Sequence, residues 1–297
     1  MHHFKGYTPI LKSKKTRYSF SHHLGGPFWL RGFGMFPKRP LEPELASTSV
    51  GKVQMTLSTA PAISIQNAHL RYGEQVLFDD LTCHLPAGKT TCLLGPSGVG
   101  KSSLLRLIAG LGVTSGNRTA KEKIQIDQHD PSLIAYMAQT DLLMPWLSVL
   151  DNVLLGYRLR KESSPETRAH ELLNQVGLGN AIKKYPAQLS GGMRQRVALV
   201  RTLMEERPVV LMDEPFSALD TITRLKLQKL AAELLANRTV LLITHDPLEA
   251  LRLGHQILIM SGQPAKLEKL ELSGTPPRSL TDEKLLRWQG ELMERLT

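Results

Sequence analysis

From residue 63 onward, apolar and polar positions alternate in strand-like and helix-like blocks. Ile63, Ile65 and Leu70 form a short strand-like alternation, and Arg71-Tyr72-Gly73-Glu74 reads as a turn. Thr90–Leu94 is a short strand bounded by Gly88 and Gly95. Residues 102–109 predict a helix carrying Leu104, Leu105, Leu107 and Ile108, and residues 133–137 predict a strand. A longer, mostly helical stretch runs from about 149 to 176, broken near Ser163-Ser164-Pro165. Met193, Val197, Val200 and Met204 recur at helical spacing. Residues 209–212 and 239–244 are continuous apolar runs, as buried parallel strands require, with a helix at 225–235 between them. Strands alternating with helices predict an α/β domain with a largely parallel sheet. No internal repeat is visible, so the chain holds one such domain.

Residues 1–54 have neither period. They hold His2, His3, His22, His23, Gly25-Gly26-Pro27 and scattered aromatics, and they lack the apolar core and cleavage site of a signal peptide. Three readings stay open: a disordered tail, a start-site artefact with Met55 as the natural start, or a basic arm touching anionic lipid or RNA. The domain reading is therefore 1–54 as tail, 55–262 as the folded unit, and 263–297 as a C-terminal extension with a helix-like 282–296 after Pro276-Pro277-Arg278. Charge follows the same division. Of 37 Lys+Arg and 27 Asp+Glu, a net +10, the first 54 residues hold nine basic side chains against Glu42 and Glu44. The rest of the chain is close to neutral, so its basic character does not imply nucleic-acid binding. No run approaches the ~18 apolar residues of a membrane span. Cys83 and Cys92 alone form no disulfide framework, nor is there a metal-ligand spacing, and a reducing compartment is the default.

Gly95-Pro96-Ser97-Gly98-Val99-Gly100-Lys101-Ser102 matches G-x-x-x-x-G-K-S/T. It follows a strand and opens a helix, the context that marks a phosphate-binding loop. Its glycines let backbone N–H groups turn toward phosphate oxygens, at a helix start that carries partial positive charge. Lys101 would reach the β/γ-phosphates, Ser102 would ligate Mg²⁺, and Ser103 follows in the same turn. Val209-Val210-Leu211-Met212-Asp213-Glu214 delivers two carboxylates to the end of a buried strand, where ligands of open α/β sheets bind. Asp213 suits the Mg²⁺ shell, and Glu214 suits a proton acceptor from water.

Leu189-Ser190-Gly191-Gly192-Met193-Arg194-Gln195-Arg196 resembles the LSGGQ-type signature of ABC transporter ATPases, with Met193 in place of the usual Gln. The resemblance spans about residues 63–262 and includes the family's motifs in order. Tyr72 is similar to the aromatic that stacks on adenine. Gln139 falls where the Q-loop glutamine follows a strand. Ser217-Ala218-Leu219-Asp220 resembles the D-loop, and His245 resembles the switch histidine. This implies a P-loop NTPase fold of ABC ATPase type: a mainly parallel core sheet, an antiparallel β subdomain and a helical subdomain.

It also implies ATP and Mg²⁺ as bound groups. Tyr72, Gly95, Pro96, Ser97, Gly98, Val99, Gly100, Lys101, Ser102, Ser103 and Asp213 would serve the nucleotide. Ser102, Gln139 and Asp213 would serve the metal, and Lys101, Glu214, His245 and Gln139 the hydrolysis. Ser190, Gly191 and Gly192 would close the site of a second copy in a head-to-tail homodimer. The implied partners are a separate permease and, indirectly, a periplasmic or surface solute-binding protein. The implied location is peripheral, on the cytoplasmic face of the inner membrane.

The segment 144–153 resembles ATPases of the nitrate/sulfonate/taurine importer group, and its apolar residues suit a groove for a permease helix. Residues 135–139, 211–220 and 245–251 look closer still to the branch associated with hydroxymethylpyrimidine, a thiamine precursor. Residues 112–132 are short and polar where relatives carry a longer Gly-containing hairpin. Two other functions compete. One is a soluble ABC ATPase acting on ribosomes or nucleic acid, which usually has tandem ATPase units or a coiled-coil insert. The other is a different P-loop enzyme such as a GTPase, for which an Asn-Lys-x-Asp guanine reader is missing.

Overall fold

The computed structural model describes residues 60–112, 114–115, 118–119, 121–126 and 130–296, with the main chain alone for 114–126 and 296. The tail 1–54, Met55 and Asn117 lie outside the described residues. In chain order, β1 (Ile63–Tyr72) and β2 (Gln75–Leu85) form a hairpin, β3 (Thr90–Leu94) leads into α1 (Lys101–Ile108), and β4 (Thr114–Ser115) pairs β5 (Arg118–Thr119). β6 (Lys121–Ile126) and β7 (Ile134–Met137) follow, then α2 (Val149–Val153), α3 (Leu155–Arg160), α4 (Glu166–Gln175) and α5 (Gly191–Met204). The last part is β8 (Val209–Asp213), α6 (Thr221–Leu234), β9 (Thr239–Ile243), α7 (Pro247–Leu253), β10 (Gln256–Ser261), β11 (Lys266–Glu271) and α8 (Glu283–Leu296).

The main sheet has the order β11-β10-β3-β9-β8-β7. Its strands β10, β3, β9, β8 and β7 are parallel, and β11 closes one edge antiparallel. The antiparallel sheet β2-β1-β6 is the β subdomain that the motifs imply.

Strand periodicity divides the core in two. Leu93, Val209, Leu211, Leu241, Ile243, Leu258 and Met260 face α1 and the β1–β2 hairpin. Their neighbours Cys92, Leu94, Val210, Met212, Val240, Leu242, Ile257 and Ile259 face the helical side, with residues of α2, α4, α5, α6, α7 and α8. Successive side chains of a strand point to opposite faces, so a strand covered on both faces reads as one apolar run. That is the pattern of 209–212 and 239–244.

Several boundaries differ from the sequence expectation. The sequence expectation lacks strands β2, β10 and β11; β10 has a readable apolar run at 257–260 that it leaves unassigned, whereas β2 is obscured for a local reason. Asp80 has φ 61° and Asn67 has φ 49°, and the β1–β2 register shifts between Ile65 and Ala68 and again on either side of Leu70. Bulges of this kind break the period of two on which pattern reading depends. The helical stretch 149–176 resolves into three helices, with Lys161 at φ 58° ending α3 and Pro165 preceding α4. The helix expected at 225–235 starts earlier, at Thr221, because the Asp220 carboxylate accepts a hydrogen bond from Thr223 N at 3.0 Å and caps it.

After Gly262 the chain adds β11 to the sheet and lays α8 against α7, burying Leu285 and Leu292. Arg278 holds this segment. It is 4% exposed, and its guanidinium donates to the carbonyls of Leu251 and Gly254 at 2.7 Å each, Ser273 at 3.0 Å and Gly274 at 3.3 Å. It also lies over the Trp288 ring at 5.4 Å. Removing a buried charged donor leaves its acceptors unpaired, so Arg278→Ala is expected to lower the unfolding free energy by about 3 kcal/mol. Urea unfolding of both proteins checks this, and a change within about 0.5 kcal/mol would contradict it.

Candidate functional site

The parallel register brings four strand ends to one level. Leu93 on β3 lies opposite Ile243 on β9, and Ile243 lies opposite Asp213 on β8. Met212 lies opposite Met137 on β7. The loop after β3, the Asp213-Glu214 pair, His245 and Gln139 therefore leave the same edge of the sheet. This edge is the carboxyl end of the parallel strands, the side on which open α/β sheets bind ligands.

The loop 95–100 passes so close to its neighbours that glycine is required. Gly95 has φ 149°, and a Cβ there would sit 2.2 Å from the Met260 carbonyl oxygen. Gly100 has φ 114°, and a Cβ would meet the Phe78 ring at 2.7 Å. Lys101 starts α1 and folds back, donating to the carbonyls of Gly95 at 2.7 Å and Pro96 at 2.8 Å. A cleft of about 370 Å³ is lined by Tyr72, Gln75, Leu77, Gly98, Gly100, Lys101, Ser102 and Ser103. This volume falls within the usual range for small-molecule sites. Tyr72 is thus placed with the loop by the β1–β2 hairpin.

The buried charges of the site compensate one another. Burial pushes the Lys101 ammonium below its ordinary value, while Glu214 and Asp213 pull it back up. Burial pushes the Asp213 carboxyl above its ordinary value and the charge of Glu214 adds to this, whereas the Ser102 hydroxyl, which hydrogen-bonds to Asp213, and Lys101 oppose it. The first residue past β8, Glu214, has φ 48°, and its N–H donates to the Ile243 carbonyl at 2.9 Å. Its carboxylate lies 3.3 Å from His245 Nδ1. The His245 ring is 65% exposed, against 20% for the Glu214 side chain.

Ser190, Gly191 and Gly192 lie elsewhere. They open α5, where Ser190 Oγ accepts from Met193 N at 3.3 Å, and they are not among the residues lining the cleft. Ser190 and Gly191 are exposed. A Cβ on Gly192 would approach the Ala218 carbonyl oxygen to 2.9 Å, so this glycine seats the helix end against the D-loop-like segment. Gln139 is exposed, two residues past β7.

Gln195, Thr244 and Glu249 are important here but were not singled out as site residues from sequence. Gln195 Nε2 donates to the Glu214 carbonyl at 2.8 Å and to Ser217 Oγ at 3.1 Å, and its Oε1 accepts from Ala218 N at 2.8 Å. It fixes α5 to the loop that carries Glu214. Thr244 is hidden within the apolar run 239–244, and Glu249 within an ordinary amphipathic helix. Asp246-Pro247 is a readable helix start: Asp246 Oδ1 accepts from Leu248 N at 2.9 Å and Glu249 N at 3.3 Å.

A glycine loop between a buried parallel strand and a helix, with an acid pair at the end of the next strand but one, defines a P-loop nucleotide hydrolase. A family model described as ABC transporter matches residues 78–217. An uncharacterized ABC transporter ATP-binding protein of Haemophilus influenzae is 42% identical over 243 residues, covering 79% of this chain and 98% of the relative. An aliphatic sulfonates import ATP-binding protein of Rhodococcus jostii is 42% identical over 239 residues, covering 76% and 89%. One of the same name from Mesorhizobium japonicum is 35% identical over 267 residues, covering 86% and 99%. A dimeric, post-hydrolysis structure of the ATP-binding cassette MJ0796, bound to ADP and Pi, matches with TM-score 0.61 at 28% identity, over 72% of this chain and 100% of that one. The chain belongs to the ATP-binding proteins of ABC transporters and is an ATP hydrolase. The donor chemistry fits a nucleotide with a hard cation, since a hydroxyl, a carboxylate and an ammonium converge at the loop.

Burial pushes the Glu249 carboxyl up from 4.5 to about 7, against the hydrogen bonds from Thr244 and Gln228. The folded state therefore holds a proton that the unfolded state releases, and this group's contribution to stability falls as pH rises from 4.5 through 7. Glu249→Gln removes that dependence. The stability difference between variant and wild type is expected to move in the variant's favour by about 2–3 kcal/mol between pH 5 and pH 8. Urea unfolding at both pH values checks this, and a pH-independent difference would contradict it.

Proposed function

We propose that the chain drives import of an aliphatic sulfonate through a separate permease, by ATP hydrolysis at two sites shared between two copies. The observation that carries the hydrolytic part is the pair of contacts at the strand ends: Ser102 hydrogen-bonded to Asp213, and Glu214 3.3 Å from His245. The names of the Rhodococcus and Mesorhizobium relatives support the solute class and the direction. Among the described residues no helix is long and apolar enough to cross a membrane. A permease must then supply the path, with this chain peripheral on its cytoplasmic side and a solute-binding protein delivering cargo from outside.

Each residue has a role in this reading. The N–H groups of the 95–100 loop and Lys101 bind the β/γ-phosphates, Ser103 extends the same turn, and Tyr72 faces the base. Ser102, Asp213 and Gln139 are the oxygen donors for Mg²⁺, which neutralises phosphate charge when bound. Glu214 orients the attacking water and accepts its proton, and His245 holds the γ-phosphate side of the site. Ser190 and Gly191 are exposed at a helix start, with Gly192 half-buried beside them, because the three belong to the nucleotide of the other copy. The dimeric MJ0796 cassettes support that arrangement.

Purified variants test the hydrolytic roles. Lys101→Ala is expected to lose nucleotide binding, and Glu214→Gln to keep ATP affinity within about threefold while turnover falls at least 100-fold or so. Full turnover by Glu214→Gln would overturn the assignment of the base. Deleting the gene in its source cell tests the solute: uptake of a labelled alkanesulfonate is expected to fall. Loss of hydroxymethylpyrimidine uptake with sulfonate uptake intact would transfer the protein to the thiamine-precursor branch.

A further inference from the structure

Behind His245 runs a buried polar chain that none of the roles above uses. Glu249, in the first turn of α7, is 4% exposed. Its carboxylate accepts from the Thr244 hydroxyl, and from the Gln228 amide on α6 at 3.0 Å. Gln228 Oε1 in turn accepts from Arg252, whose Nε donates to the Arg278 carbonyl at 3.3 Å. The loop is closed on its other side as well. Thr244 Oγ1 accepts from Asp246 N at 3.0 Å, and the Asp246 carboxylate caps α7 on the N–H of Glu249 itself. The residues before and after His245 are thus both tied to Glu249, and a cavity of about 20 Å³, room for a single water, separates Glu249 from Glu214 and His245.

The His245 ring is mostly exposed, so packing does little to hold it, and its 3.3 Å approach to Glu214 depends on where the backbone puts it. Arg224, which also lines the cavity, lies 3.7 Å from Asp246 and adds a cation to the same loop. The Arg278 end of the chain connects this support to the segment bearing β11 and α8.

We propose that Glu249 is a positioning residue for His245: by anchoring Thr244 directly and Asp246 through the helix cap, it keeps the imidazole within reach of Glu214. The inference rests on the assignment of His245 and Glu214 to ATP turnover. Small displacements of a reacting group from its productive geometry cost rate rather than binding. Loss of the anchor should therefore appear in kcat. Glu249→Gln keeps the shape and one acceptor oxygen, and its amide can donate to Thr244, so it should preserve the anchor.

Steady-state ATPase kinetics of the full chain test this with Glu249→Ala, Glu249→Gln, His245→Ala and the double variant of Glu249→Ala with His245→Ala. The expected result is a kcat loss of about tenfold or more for Glu249→Ala with KM for ATP within about threefold, and at least about half the activity for Glu249→Gln. The double variant should be no worse than His245→Ala alone within about twofold, because a residue acting through His245 has nothing left to act on. Multiplying effects, or a wild-type kcat for Glu249→Ala beside a crippled His245→Ala, would overturn the positioning role and leave the catalytic assignment standing. Wild-type turnover by His245→Ala would overturn both. If Glu249→Ala does not fold, the isosteric Thr244→Val decides by the same comparison, with a several-fold kcat loss that His245→Ala absorbs.

Discussion

Everything at the site depends on the parallel register of β3, β9, β8 and β7. Leu93, Ile243 and Asp213 stand side by side across three strands, and Met212 pairs Met137 on the fourth. The strands are short and buried on both faces, so a slip by one residue would exchange every side chain between the two halves of the core. Cys92 and Leu94 would then trade places with Leu93, and Met212 with Leu211. The core thus fixes the register, and the register fixes the level at which the 95–100 loop, Glu214, His245 and Gln139 leave the sheet. Catalytic geometry is in this sense a by-product of apolar packing.

Charge is added to that frame at a cost that the site offsets internally. Lys101, Asp213 and Glu214 are largely withdrawn from water. Burial alone would drive the lysine and the aspartate toward neutrality, and each of the two limits the other's shift. Carbonyls of Gly95 and Pro96 complete the shell of the ammonium. Such an arrangement suits a polyphosphate, because acceptors already aligned on a cation can be exchanged for phosphate oxygens with little rearrangement. The exposed Ser190-Gly191 helix start has the opposite character. It is exposed among the described residues, and Gln195 ties its helix to the loop bearing Glu214. In the proposed dimer, Gln195 would link the loop bearing Glu214 to the surface that the chain turns to its partner.

Much of this was legible in the sequence, and the reasons differ by element. Strands 209–212 and 239–244 were readable because burial on both faces removes the polar alternation. The glycine loop was readable because close approach to Met260 and Phe78 leaves no other residue type at Gly95 and Gly100. The partner strand β2 was not readable, since Asp80 at φ 61° interrupts its period. Strand β11, with the burial of only Leu270 along LEKLE, is an edge that pattern cannot separate from a loop. Glu249, Gln228, Arg252 and Arg278 were beyond reach for a further reason. Their meaning comes from a hydrogen-bonded chain across α6, α7 and the C-terminal segment, and no local spacing encodes a contact between elements distant in sequence.

In the proposed dimer the P-loop cleft of one copy is completed by the Ser190–Gly192 helix start of another, with nucleotide between them. Sedimentation of Glu214→Gln with and without ATP distinguishes this dimer from a monomeric site, because the variant should hold the nucleotide without consuming it. The expected result is a monomer without ATP and, at saturating ATP, a species of twice that mass that reverts when Gly191→Asp, at an exposed position with open space around its Cβ, is added to the variant. A variant that binds ATP fully yet stays monomeric at every protein concentration would contradict it.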